Sequence, residues 1–223
     1  MERKNVGVID NKVIACFGDS ITAGLYDEDG LGWPHRMAAK IARLNKGHHL
    51  IHNLAVCNDT SCDVLHSLIA NAARLYPQIV IIMAGTNDCQ RKEYADGSGR
   101  ERFSRLEAMS YWYRMFEAIK GRGYKVLVVS PLPLEYDSLA QPRFFDNPKE
   151  CAANVYRNCD IKPYVDDLES LCADRNVPFL RLYEDWLGKK ADNIYADGVH
   201  PNAKGYGLLA DKILEKLQQL AYI

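Results

Sequence analysis

Three residues of this chain have side chains that could together carry out acyl transfer: Ser20, Asp197 and His200. A serine hydroxyl is a poor nucleophile until a base removes its proton, and histidine suits that task because its pKa lies near neutrality. A carboxylate bound to the other ring nitrogen fixes the tautomer and stabilises the imidazolium. Asp197 comes three positions before His200 and can reach Nδ1 if the segment turns. These residues therefore predict a Ser-His-Asp catalytic triad.

The negative charge that develops on a substrate carbonyl oxygen needs hydrogen-bond donors that are already in place. Three groups could form this oxyanion hole: the backbone N–H of Ser20 at a predicted helix start, the backbone N–H of Asn58, and the side-chain amide of Asn87. Asparagine is also common in loops and turns, which is the structural alternative for Asn58 and Asn87.

Short apolar runs alternate along the chain with longer segments of helical periodicity. The apolar runs predict strands at residues 12–17, 49–56, 79–84, 125–130 and 178–182. The periodic segments predict helices at residues 33–44, 61–75, 103–119, 151–175 and 206–220, and four prolines predict a loop at residues 131–148. Such alternation predicts an α/β fold in which helices cover both faces of a parallel sheet.

The candidate residues follow predicted strands, and the carboxyl ends of parallel strands meet at one edge of a sheet. Ser20, Asn58 and Asn87 come after the first, second and third strands, and His200 comes after the fifth strand and a loop. We therefore expect all four residues to lie close together.

Two loops, residues 89–102 and 131–148, also follow strand ends and should overhang Ser20. Apolar residues of the second loop could line an acyl or alcohol pocket, or could simply cover the end of the sheet. These residues are Leu132, Leu134, Tyr136, Phe144 and Phe145. Cys57 is a candidate wall residue of the pocket. Asp19 is a candidate substrate contact, although a structural role as a helix cap is favoured.

Three ordered sequence blocks resemble those of the SGNH hydrolases, the GDSL esterase/lipase family. Residues 18–24 (Gly-Asp-Ser-Ile-Thr-Ala-Gly) match the first block of that family, and residues 85–88 (Gly-Thr-Asn-Asp) match the third. Residues 197–202 (Asp-Gly-Val-His-Pro-Asn) match the last block. The matches extend from residue 18 to residue 202, nearly the whole chain.

This resemblance implies a flavodoxin-like three-layer fold with a five-stranded parallel sheet. It implies hydrolysis of esters or thioesters without a metal or another cofactor. It also implies that Ser20 is the nucleophile, that Asn87 is an oxyanion donor, and that Asp197 and His200 complete the triad.

The second block departs from the family pattern, which usually reads Ser-Gly-Asp-Thr with the glycine N–H in the oxyanion hole. Here the matching run is Cys57-Asn58-Asp59-Thr60, so asparagine replaces the glycine. Asparagine tolerates the left-handed backbone region better than other non-glycine residues. A backbone donor at Asn58 is therefore compatible with the substitution, and the added side chain should narrow the pocket or add a polar contact.

We expect a single domain over residues 1–223 that acts as a serine esterase on short-chain acyl or acetyl esters. One alternative is an acyltransferase with the same site, and others are a hydrolase of the lysophospholipase or thioesterase type and a non-catalytic carbohydrate-binding module. A metal-dependent phosphoesterase built from Asp19, Asp88 and His200 is a more remote alternative.

The composition excludes several other classes of function. The net charge is −1, so nothing predicts binding to nucleic acid, and no apolar run is long enough for stable membrane insertion. The N-terminus lacks the apolar region of a secretory signal, which favours a cytoplasmic protein. The spacing of the seven cysteines suggests neither a zinc site nor a disulfide framework. We therefore expect a small-molecule ester as the partner and leave the oligomeric state open.

Overall fold

The computed structural model describes residues 11–44, 49–94, 96, 98–141 and 153–223. Strands are numbered along the chain. The main sheet is parallel and consists of β1 (Val13–Gly18), β2 (Leu50–Asn53), β3 (Ile79–Met83), β6 (Lys125–Val129) and β9 (Phe179–Leu180). The strand order is β2-β1-β3-β6-β9, which is the flavodoxin-like order. The predicted fold class is therefore confirmed.

The central strand β3 shows why this sheet is buried on both faces. Its five residues, Ile-Val-Ile-Ile-Met, are all buried, and β-branched side chains pack well on a pleated surface. Successive side chains of a strand point to opposite faces. Ile79 and Ile81 accordingly belong to one hydrophobic cluster, and Val80 and Ile82 belong to the other.

Helices cover both faces of the sheet. Helices α2 (Gly32–Arg43) and α7 (Ala203–Gln219) pack on one face, and α3 (Ser61–Leu75), α4 (Arg105–Ile119) and α5 (Asn158–Asp174) pack on the other. Shorter helices are α1 (Ser20–Ala23), α6 (Tyr183–Leu187) and a 3-10 helix, Lys190–Asp192. Among the described helices, none has the length and apolar character needed to cross a lipid bilayer.

A second sheet corrects three predictions from the sequence. It is antiparallel and contains β4 (Arg91–Glu93), β5 (Gly99–Glu101), β7 (Ser138–Gln141) and β8 (Ala153–Arg157), in the order β5-β4-β8-β7. Strands β4 and β5 lie in the loop predicted at residues 89–102, and β7 lies in the loop predicted at residues 131–148. Strand β8 occupies residues predicted as the start of a helix. The helix begins only at Asn158. Because β8 pairs with β4, about sixty residues earlier in the chain, local periodicity could not show the strand.

The second sheet is linked to the carboxyl edge of the main sheet. Tyr156 of β8 donates its hydroxyl hydrogen to Asn87, which follows β3. The side chain of Leu139 in β7 lies near Gly198, in the segment that follows β9. Strand β1 lies between β2 and β3, so the order of the strands reverses its direction at β1. The carboxyl edge of the main sheet beside β1 is therefore the switch point, where folds of this kind bind ligands.

Candidate active site

Ser20 is the first residue of α1 and follows β1 after a single intervening residue, Asp19. The Asp19 side chain caps the helix by accepting a hydrogen bond from the N–H of Ile21 at 3.0 Å. Gly18 ends the strand where a β-carbon would lie only 2.1 Å from the carbonyl oxygen of Met83. The turn therefore requires glycine, and it places the Ser20 hydroxyl at the sheet edge.

The hydroxyl of Ser20 is hydrogen-bonded to His200. Ser20 Oγ lies 2.7 Å from His200 Nε2, and both residues are buried. At this distance the imidazole can take the hydroxyl proton directly.

Asp197 binds the other side of the His200 ring. Its Oδ2 lies 2.9 Å from His200 Nδ1, and its Oδ1 accepts hydrogen bonds from the backbone N–H groups of Val199 and His200. Burial works to raise the pKa of Asp197, but these bonds outweigh it and hold the pKa below its ordinary value. Asp197 is thus kept ionised and is held in one orientation, as required of the residue that orients the base.

Asn58 has the left-handed backbone conformation, with φ at 71°. Arg102 binds both the side chain and the backbone of Asn58. It donates from Nη1 to Asn58 Oδ1 at 3.0 Å and from Nη2 to the Asn58 carbonyl oxygen at 3.4 Å. The sequence did not single out Arg102, because the bond joins residues 44 positions apart.

Asn87 is buried, and its side-chain amide is oriented from both ends. Its Nδ2 donates to the carbonyl oxygen of Asp59 at 2.9 Å, and its Oδ1 accepts from the Tyr156 hydroxyl at 3.3 Å. Gln90 in turn donates to the Tyr156 oxygen at 2.5 Å. The Asn87 Nδ2 group has two hydrogens, and one of them points to Asp59. The other has no acceptor among the described residues, so it is available to a ligand.

Asp88 supports the loop that contains Asn87. It accepts hydrogen bonds from the N–H of Ser61 and from the Tyr164 hydroxyl, at 2.9 and 2.6 Å. Burial raises its pKa in spite of these bonds. The Tyr164 ring also packs against Gly85, where φ is 122° and a β-carbon would lie 2.5 Å from the ring. This loop therefore depends on glycine for its shape.

Asp19 is buried beside the nucleophile. Burial raises its pKa to about 7, although the bond from Ile21 and the nearby His200 oppose the rise. The structure thus shows Asp19 as a helix cap, which agrees with the structural role favoured from the sequence.

The residues suggested as pocket walls lie in different environments. Leu132 and Leu134 are almost fully buried in the hydrophobic core and cover the end of the sheet. Tyr136 is exposed, and its ring packs against Gly198 between Asp197 and His200. Cys57 is exposed, and partial burial together with Asp19 and Asp59 raises the pKa of its thiol. Phe144 and Phe145 lie outside the described residues.

Tyr26 is a further residue at the site that the sequence did not indicate. Its ring lies 5.3 Å from the His200 ring, centroid to centroid, and more than half of the residue is exposed. Its φ of 61° is rare for an aromatic residue. The preceding residue is fixed by a hydrogen bond from the Tyr206 hydroxyl to the Leu25 carbonyl oxygen, at 2.8 Å.

A parallel α/β sheet with a hydrogen-bonded Ser-His-Asp chain at its switch point is typical of serine hydrolases. The chain belongs to the GDSL-like lipase/acylhydrolase family, whose model matches residues 16–208. Membership of this family supports the conclusion that the protein is a carboxylester hydrolase. A comparison with curated proteins found no match.

Solved structures of similar fold agree with this family. The lipase/acylhydrolase from Enterococcus faecalis has 23% sequence identity and a TM-score of 0.70, with 93% of this chain and 96% of that one covered. The psychrotrophic esterase EstA from Pseudoalteromonas sp. has 16% identity and a TM-score of 0.68, with coverages of 96% and 100%. An acetyl xylan esterase, AlAXEase, has 20% identity and a TM-score of 0.67, with coverages of 91% and 98%.

Proposed function

We propose that the protein hydrolyses carboxylic esters of short acyl groups, such as acetyl esters, with Ser20 as the nucleophile. The observation that supports this proposal most directly is the hydrogen-bond chain from Ser20 Oγ through the His200 ring to Asp197. Three residues of suitable chemistry, in suitable order and at hydrogen-bond distance, are what a serine nucleophile requires.

In the first half of the reaction, His200 Nε2 takes the Ser20 proton while Oγ attacks the ester carbonyl carbon. The carbonyl π electrons move to oxygen and form a tetrahedral intermediate. When the intermediate collapses, the bond to the alcohol oxygen breaks, and His200 returns its proton to that oxygen. The alcohol leaves, and the acyl group stays on Ser20.

In the second half, a water molecule replaces the alcohol. His200 takes one of its protons, the hydroxide oxygen attacks the acyl carbon, and the collapse of the second intermediate returns the proton to Ser20 Oγ. Asp197 stabilises the imidazolium in both halves because its ionised carboxylate accepts the Nδ1–H bond.

The oxyanion is stabilised by three donors from three loops. Ser20 is the first helical residue, so its N–H has no intrahelical acceptor. The N–H of Asn58 makes no hydrogen bond within the described chain. The side-chain amide of Asn87 provides the third donor, held in place by Asp59 and Tyr156. Such donors act in the transition state because they need not reorganise.

Two observations favour an acetyl ester of a ring-shaped alcohol as the substrate. Two exposed tyrosines, Tyr26 and Tyr136, pack against His200 and against the segment before it, where the leaving alcohol would lie. Exposed aromatic rings of this kind can stack on a ring-shaped alcohol such as a sugar. In addition, one protein of similar fold is described as an acetyl xylan esterase.

A chain-length series of p-nitrophenyl esters, from acetate to laurate, tests the proposal. It should be run on the wild type, on Ser20→Ala and on Ser170→Ala, which removes an exposed hydroxyl of α5. We expect kcat/KM to be highest for the shortest esters, to be retained in Ser170→Ala, and to be lost in Ser20→Ala. Product formation that depends on an added alcohol and outpaces hydrolysis would indicate an acyltransferase. Failure of Ser20 to react with a fluorophosphonate at neutral pH would contradict its role as the nucleophile.

A further inference from the structure

Arg102 differs from the other partly buried arginines in the part of the chain that the structure describes. The others each form an ion pair with Asp or Glu: they are Arg36, Arg91, Arg157, Arg175 and Arg181. Arg102 forms none with any described residue. Its two side-chain hydrogen bonds go to neutral oxygens, Oδ1 and the carbonyl oxygen of Asn58.

A partly buried cation without a counterion is costly, because burial removes part of its hydration. The bonds to Asn58 recover some of that loss and fix the orientation of the guanidinium group. A guanidinium has more N–H groups than these two bonds use, and its remaining donors form a planar fork that matches a carboxylate or a phosphate. Arg102 therefore has the properties of an anion-binding group that is already oriented.

Arg102 lies at the rim of the proposed oxyanion hole. Its side chain binds Asn58, and its backbone N–H donates to the Gln90 carbonyl oxygen at 2.8 Å. Gln90 is linked through Tyr156 to the amide of Asn87. The guanidinium thus contacts Asn58 directly, and the backbone of Arg102 is linked to Asn87 through Gln90 and Tyr156.

Three carboxylates are close enough to feel the charge of Arg102, although none of them forms an ion pair with it in the structure described: Asp59, Asp63 and Asp88. Burial, together with Asp63, raises the pKa of Asp59 to about 6, and the positive charge of Arg102 opposes that rise. Neither Asp59 nor Asp63 lies within ion-pair distance of the guanidinium in the structure described. The carboxylate of Asp63 instead accepts hydrogen bonds from the N–H and the hydroxyl of Thr60, at 2.9 and 2.6 Å.

We propose that Arg102 binds an anionic group of the substrate, so that the preferred esters have a carboxylate or a similar anion on their acyl or alcohol part. The proposal rests on the ester hydrolysis proposed above and adds a substrate class to it. Asn58 then acts as a positioning residue for Arg102, which explains why asparagine replaces the family's glycine: a glycine has no side-chain oxygen to bind the guanidinium.

The test compares anionic esters with neutral esters of the same shape. On the acyl side, the pair is mono-p-nitrophenyl adipate and the p-nitrophenyl ester of adipic acid monoamide. On the alcohol side, the pair is 3-acetoxybenzoate and 3-acetoxybenzamide. The measured quantity is the ratio of kcat/KM for the anionic ester to that for the neutral one. We expect a ratio of about ten or more in at least one pair for the wild type, the range of one charge-assisted hydrogen bond.

Three variants identify the source of this preference. Arg102→Gln should lower the ratio by about tenfold, and Arg102→Lys should retain part of it because the charge remains. Arg100→Gln is the matched control: it removes an exposed arginine from β5, two positions away, and should leave the ratio unchanged. Fluorophosphonate labelling of Ser20 in each variant shows that the site is still folded.

The proposal is overturned if the wild type shows no preference in either pair, if Arg102→Gln leaves the ratio unchanged, or if Arg100→Gln lowers it equally. Failure of the proposed function gives a different result: neither the neutral nor the anionic esters would be hydrolysed in a Ser20-dependent way.

Discussion

Ser20 Oγ and His200 Nε2 lie 2.7 Å apart, although 180 positions separate the two residues in the chain. The β1–α1 turn places Ser20 at the sheet edge. His200 lies in a short turn closed by the Tyr195–Pro201 bridge and by the hydrogen bond from the Ala196 N–H to the His200 carbonyl oxygen, at 2.8 Å. The contact is therefore fixed by backbone structure on both sides.

This contact predicts that substitutions of the two residues are not additive. Ser20→Ala and His200→Ala should each lower kcat by roughly 10³-fold or more, because each removes the same proton transfer. The double variant should lose little beyond either single variant. The three rates should be measured with p-nitrophenyl acetate. If the fold-loss in kcat of the double variant equals the product of the two single fold-losses, the residues act in separate steps.

Asp197→Asn should lower kcat by roughly 10⁴-fold with little change in KM. If the amide oxygen remains at Oδ1, where two backbone N–H groups donate, the NH₂ group faces His200 Nδ1. The ring must then accept at Nδ1 and place its proton on Nε2, where it cannot receive the Ser20 proton. Asp174→Asn, at the end of α5, is a control that should retain activity. Equal loss in both variants would contradict the assigned role.

The backbone of Asn58 predicts how two substitutions differ in stability. Its φ of 71° suits glycine and asparagine, whereas alanine is strained there. We expect Asn58→Ala to lower the free energy of unfolding by about 1 kcal/mol more than Asn58→Gly does. Urea denaturation of the two variants measures this difference. Equal stability would mean that the loop relaxes out of the left-handed region.

Asp19 predicts a pH dependence of stability. Because burial raises its pKa to about 7 in the folded protein, against a usual value of 3.8, the folded state retains the proton after the unfolded chain has lost it. This group therefore stabilises the protein more at low pH, and its contribution falls as pH rises from about 4 to about 7. Relative to Asp19→Asn, the wild type should lose about 3 kcal/mol between pH 5 and pH 8.

Asparagine is a suitable control at this position because it also caps helices, so the N-terminus of α1 should be preserved. Urea midpoints at the two pH values provide the measurement. Parallel pH curves for the wild type and the variant would show that Asp19 ionises in the folded protein as it does in water.

The main sheet could be predicted from local patterns because its strands are short, apolar and separated by helical segments. The run Ile79–Met83 is buried on both faces, and helix α3 has the predicted bounds because its capping box and apolar stripe are local signals. The second sheet could not be predicted in the same way. Strands such as Arg91–Glu93 are short and charged, and their pairing partners lie far away in the chain.

The candidate site shows the same division. Ser20, Asn87, Asp197 and His200 could be named from their types and their places after predicted strands, since strand ends converge in a parallel sheet. Tyr26 and Arg102 could not, because a single aromatic or basic residue in a loop has no periodicity and no chemical partner nearby in sequence. Leu132 and Leu134 were candidates for a pocket, but burial in the core is a property of the packed chain.

The sequence by itself determined the kind of fold and the chemical groups that its strand ends present, because hydrophobic period and residue type are local properties. Only the tertiary structure decided the distances between those groups, the orientation of Asn87 by Tyr156, and the contact between Asn58 and the guanidinium of Arg102. These relationships depend on long-range packing, which brings together residues whose order in the chain contains no information about their separation in space.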